Sequence, residues 1–84
     1  MSFNREKIFA EIEQERKHQE TKYDTTFDDG NKANDWIAYI TAYAGKGFWT
    51  DWRRGEWTLF RKAMVQTAAL AVAAIEAVDR NNRS

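Results

Sequence analysis

The sequence predicts an all-α, three-helix single domain, with helices over about residues 4–23, 34–46 and 57–80, that assembles into a helical homo-oligomer. Three observations lead there. Proline is absent while Ala, Glu, Lys, Arg and Gln are abundant, and these are strong helix formers. Valine and isoleucine are too sparse to build the period-two runs of strands. The C-terminal segment is apolar nearly all round, and such a helix has to be covered on every side.

The first helix starts at Asn4, a good capping residue, and runs to about Tyr23. Ile8 and Ile12 begin its inward stripe. The same face continues through Glu15 and Gln19 to Tyr23, so its second half turns polar groups toward the body. Residues 24–32 read as a loop with Asp28-Asp29-Gly30 as turn chemistry. Asn34 caps the second helix, which Gly47 ends. Trp36, Ile37, Ile40 and Tyr43 or Ala44 face the core, and Tyr39 with Tyr43 makes a second aromatic edge. A loop dense in aromatics and arginines spans residues 47–56. In the third helix only Gln66, Thr67 and Glu76 are polar between Ala63 and Val78. Its many alanines permit close helix approach, with neighbouring subunits supplying the missing wall.

An 84-residue chain buries only about 60 % of its unfolded surface, so its core is marginal alone. Without cysteine it has neither disulfides nor thiolate zinc sites. One histidine, His18, excludes a histidine-rich metal site, which leaves association or a carboxylate-bound hard cation. Thirteen basic and thirteen acidic side chains balance, so nothing drives the chain onto long nucleic acids or an anionic membrane. The longest apolar stretch, Ala68 to Ile75, falls short of the roughly 20 residues that span a bilayer. The N-terminus lacks a signal-peptide core. A cytoplasmic location is expected.

Three groups of residues could carry chemistry. Glu11 and Glu15 project from one face of the first helix and could hold magnesium; a solvated face with Lys7, Arg16 and Lys22 is the alternative. Trp49, Trp52, Arg53 and Arg54, with Arg61 and Lys62 one or two turns on, offer flat faces for a base and forked donors for phosphate. Tryptophans that finish a small core are the competing explanation. Lys22, Tyr23, Thr25, Thr26 and Asp28 form a third group that could meet phosphate or merely build a turn. His18, in polar surroundings, reads as a surface residue.

The order EIEQERKHQETKY, then NDWIAYITAYAGK, then FRKAMVQTAALAVAAIEAVDR resembles a broad group of uncharacterised phage and prophage proteins. It is also similar to the MazG-like all-α nucleotide pyrophosphohydrolases. That resemblance implies a helical oligomer that handles nucleoside phosphates, in the enzymes with magnesium on paired acidic motifs. Here the second helix has no carboxylate after Asp35, and Arg61 and Lys62 stand where acids would be wanted. The implied function is therefore a phage-type, non-catalytic nucleotide-binding protein that sequesters a cyclic nucleotide or related immune signal of the bacterial host. Its ligand-binding residues are expected to be Trp49, Trp52, Arg53, Arg54, Lys62, Tyr43 and Lys22. No cofactor is required. Two alternatives stand beside it: a magnesium-dependent pyrophosphohydrolase using Glu11 and Glu15, and an inhibitor that binds a host protein.

Overall fold

The computed structural model describes residues 2–22, 25–49 and 57–81, with the side chains of 2, 3, 25, 27 and 47–49 outside the description. Four helices follow in order: α1 (Ser2–Lys22), α2 (Thr25–Gly30), α3 (Ala33–Trp49) and α4 (Thr58–Arg80). No strand occurs among the described residues, so the chain is all-α.

The boundaries differ from the sequence expectation in three places. Asn4 lies inside α1, which already begins at Ser2. The expected loop at 24–32 contains the short helix α2. Its turn-forming residues act as a last helical turn, with the Asn31 amide donating to the Asp28 carbonyl at 3.2 Å. Asp28 and Asp29 are then held by cations from distant helices, and these tertiary pairs override the local turn preference. The third difference lies in α3, which is neither capped by Asn34 nor ended by Gly47. Instead the Lys32 carbonyl accepts from the amides of Asp35 and Trp36, and the Lys32 amide donates to Asp35 Oδ2 at 2.9 Å. This is half of a capping box, with an acid three residues in reaching back to the cap. Gly45 sits within the helix in open space. Glycine in a helix costs about 1 kcal/mol without forcing a stop.

α4 is the element on which the other three pack, whereas α1 and α3 make little approach to one another. Its inward face is Ala63, Ala69, Ala73 and Ala77, all buried. Trp36 of α3 lies on Ala73 and Ala77, flanked by Leu70 and Ala74. The apolar core is therefore one indole and a row of methyl groups, and no large side chain is fully buried. The Cα radius of gyration, 13.9 Å, exceeds the roughly 12 Å of a compact chain this long.

Thin burial leaves apolar surface outside. Ile37, expected in the core, is 65 % exposed, because Trp36 takes the inward direction and Ile37 lies a third of a turn away. Ile8 is exposed, and Ile12 is half-buried along with Glu15 and Gln19 further down the α1 stripe. On α4, Leu59, Val72, Ile75 and Val78 face outward. Full burial of each would contribute about 1.5–3 kcal/mol. α4 is also long and apolar enough to cross a membrane by length and composition, although uninterrupted apolar residues alone suggested otherwise. The stretch that is long enough takes in Arg61 and Lys62 as well as Gln66 and Thr67, whereas the uninterrupted apolar run begins only at Ala68.

Polar contacts join the helices where apolar ones are few. Arg16, buried on the inward face of α1, donates from Nε to Glu76 Oε1 of α4 at 2.7 Å and from Nη2 to Asp28 Oδ2 of α2 at 3.4 Å. Arg80 donates from Nε to Asp29 Oδ1 at 2.9 Å, and Asn81 Nδ2 donates to the same oxygen. Arg61 pairs with Glu11, tying the first half of α1 to the start of α4. Removing one partner of a buried pair leaves a charge without compensation, at about 3–5 kcal/mol. Arg16→Met is therefore expected to lower unfolding stability by about 3 kcal/mol in urea titration. Adding Asp28→Asn to that variant should recover part of the loss, because the stranded carboxylate is gone.

Candidate functional site

Because α1 and α3 both rest on α4 but not on each other, a cavity of about 180 Å³ opens between them. Regular helical spacing supplies its walls. Glu15, His18, Gln19 and Lys22 recur at intervals of three and one or three on α1. Trp36, Tyr39 and Tyr43 do so at three and four on α3, and Gln66 and Leu70 at four on α4. Asp28 and Asn31 close one end. Trp36, Asp28 and Asn31 are buried and mark the floor, whereas His18, Lys22 and Tyr39 are exposed and mark the mouth.

Two residues of its lining, Gln19 and Trp36, each hold a buried side-chain atom, Oε1 and Nε1, with no hydrogen-bond partner among the described residues. Gln19 Nε2 donates to the Gln66 carbonyl at 3.3 Å, and this fixes the amide so that Oε1 is the atom left over. The Trp36 indole can only donate and the Gln19 oxygen can only accept. A buried polar group left without a partner costs about 1–3 kcal/mol.

The mouth is mainly basic. His18 and Lys22 come from α1, and Lys46 Nζ lies 4.3 Å from the centre of the Tyr43 ring. A cation over an aromatic face is held by the ring quadrupole, which keeps Lys46 beside the cavity. Glu15 is the acid on this rim. On the floor, burial raises the Asp28 carboxyl above the ordinary aspartate value of 3.8, against the opposing pull of Arg16 and then Arg80.

No family model matches the sequence, and no curated protein or solved structure does either.

The sequence-predicted residues divide between this cavity and other places. Tyr43 and Lys22 line it. Lys62 is exposed on α4 and does not. Trp49 is the last residue of α3, with its side chain outside the description, and Trp52, Arg53 and Arg54 lie outside the described residues. The expected magnesium pair is split, since Glu11 pairs with Arg61 while Glu15 lines the cavity. Among the described residues no three His, Asp or Glu side chains converge to hold a metal ion.

Sequence reasoning did not assign Gln19, Trp36, Gln66 or Lys46 to a site. Gln19 carried a signal, as a polar side chain on the inward stripe. Trp36 was read as core, which it is, and it also lines the cavity. Lys46 closes the expected second helix, and its three-residue spacing from Tyr43 was the available signal.

Asp28 gives this site a pH signature. Its raised pKa means that the folded chain holds the proton more tightly than the unfolded chain does, so its contribution to folding is fully present below 3.8 and is lost as pH rises through the higher folded value. Asp28→Asn cannot titrate. Denaturation of both proteins across acidic pH should show the variant gaining stability relative to the parent as pH climbs above 3.8. A difference that stays flat with pH would mean that burial does not perturb Asp28.

Proposed function

We propose that this chain binds a small nucleotide in the cavity between α1 and α3 and holds it without hydrolysis. The observation that carries the reading is a base-sized cavity with a tyrosine-lined wall and a basic mouth, two of whose lining residues, Trp36 and Gln19, hold a buried donor and a buried acceptor without partners among the described residues. Every nucleobase presents an N–H beside a carbonyl or ring nitrogen on one edge, the groups that would complement such a donor and acceptor. Tyr39 and Tyr43 supply stacking faces, worth about 1–3 kcal/mol per base. Lys22, His18 and Lys46 stand where a phosphate would emerge.

Size sets the division between base and phosphate. A cavity of about 150 Å³ admits benzene, so 180 Å³ accommodates a base-sized ring but not a ribose and phosphate as well. Those would lie at the mouth, among the exposed cations. The proposed resemblance to MazG-like enzymes points the same way. The scarcity of converging carboxylates among the described residues favours binding over magnesium-dependent cleavage. The same reading takes the chain to be a homo-oligomer, in keeping with its thin core and outward-facing α4 residues. A bacterial host cell's cytoplasm is where such a protein would meet its ligand.

The test is a thermal-shift screen against mono-, di- and cyclic nucleotides, with and without magnesium, since a ligand selective for the folded chain raises its melting temperature. At least one nucleotide should raise Tm without magnesium. Trp36→Phe should then weaken that ligand about 2- to 10-fold, the worth of one hydrogen bond, and Tyr43→Ala should weaken it further. No shift with any nucleotide would overturn the reading. A shift abolished by Trp52→Ala yet untouched by Trp36→Phe would move the site to residues 47–56.

A further inference from the structure

α4 carries a second pattern on the side turned away from α1 and α3. Val65, Ala68, Val72, Ile75 and Asp79 recur at alternating intervals of three and four, and Arg61 precedes them at four. This is the spacing of a coiled-coil seam. It lies opposite the buried Ala63, Ala73 and Ala77; Val72 and Ile75 are exposed and Val65 and Ala68 half-buried. The seam has charges only at its ends. No Asp, Glu, Lys or Arg occurs from residue 63 to 75, whereas Arg61 and Lys62 stand before that stretch and Glu76 and Asp79 after it. Within the chain Arg61 and Glu76 also pair with Glu11 and Arg16 of α1, and Arg80 is turned to Asp29 of α2, whereas Lys62 and Asp79 are exposed.

The geometry points to a second copy of this chain as the occupant of that seam, its α4 lying antiparallel across a two-fold axis level with residue 70. This deepens the homo-oligomer reading and rests on it, and it does not depend on the nucleotide. In that register Val65 faces Ile75 of the second copy, Ala68 faces Val72, and Arg61 faces Asp79. Lys62 comes beside Glu76. Each contact occurs twice, as a two-fold interface requires. A parallel arrangement would instead lay Arg61 on Arg61 and Asp79 on Asp79, like charge on like. A lipid bilayer fits the seam less well. The uncharged stretch 63–75 is about 20 Å long at 1.5 Å per residue, against a hydrocarbon core of about 30 Å.

The native chain has no cysteine, so introduced thiols report without background. Ala68→Cys and Val72→Cys variants, mixed while reduced and then oxidised mildly, should cross-link to each other into a species of twice 9.9 kDa. Either variant alone should cross-link several-fold less. Asp79→Arg should weaken association at least tenfold, and adding Arg61→Asp together with Glu11→Arg, which keeps the tie to α1 with its signs reversed, should restore it. Circular dichroism of each variant checks that helicity is retained. Light scattering that finds the native chain near 9.9 kDa at micromolar concentration would overturn self-association itself. A native dimer whose mixed variants do not cross-link, or whose single variants cross-link best with themselves, would overturn only the antiparallel seam. Transfer of the native chain onto phosphatidylcholine vesicles with loss of the dimer would assign α4 to lipid instead.

Discussion

The indole of Trp36 lies on the Ala73–Ala77 face of α4, and the rest of the chain is arranged around that contact. Alanine is what makes it possible. A row of methyl groups lets the helix backbones come close, and the single large ring then fills the space that several leucines would fill in a larger core. The consequence is a wall, α4, shared by every other helix, with too little apolar volume to draw α1 and α3 onto each other. The cavity is the gap so produced. Its position follows from the packing, and its chemistry follows from which residues α1 and α3 present to it.

Those residues are polar because α1 has little else to offer. Its inward face is Ile12, Glu15, Arg16 and Gln19, so it docks on α4 through an ion pair and an amide where another helix would use leucine. Pairing buried charges is a costly way to hold a fold, since desolvation consumes much of the Coulomb gain. It does fix geometry: Arg16 sets α1, α2 and α4 in one arrangement, and the Gln19 amide is tied to the Gln66 carbonyl of α4. A stable fold and a preorganised polar pocket thus draw on the same side chains.

What could be read from the sequence, and what could not, follows from the range of the interactions involved. α4 was legible to within a residue because its alanine-rich, nearly uncharged run is a local property. Trp36 as a core residue and the polar turn of α1 toward the body were legible for the same reason. α2 was not, because its short helix depends on Arg16 and Arg80, 12 and 51 residues from their aspartate partners. Arg16 itself read as one of several solvated charges, although its place between Ile12 and Gln19 on the inward stripe was the available sign. Trp36 and Gln19 as site residues needed the third dimension, since they line one cavity only when both helices stand on α4.

The contact between Trp36 and α4 is the claim on which the rest depends, and nuclear Overhauser spectroscopy of the labelled chain tests it directly. The account predicts strong cross-peaks from the Trp36 ring protons to the methyl groups of Ala73 and Ala77. Cross-peaks from that ring to other residues but to neither alanine would contradict it.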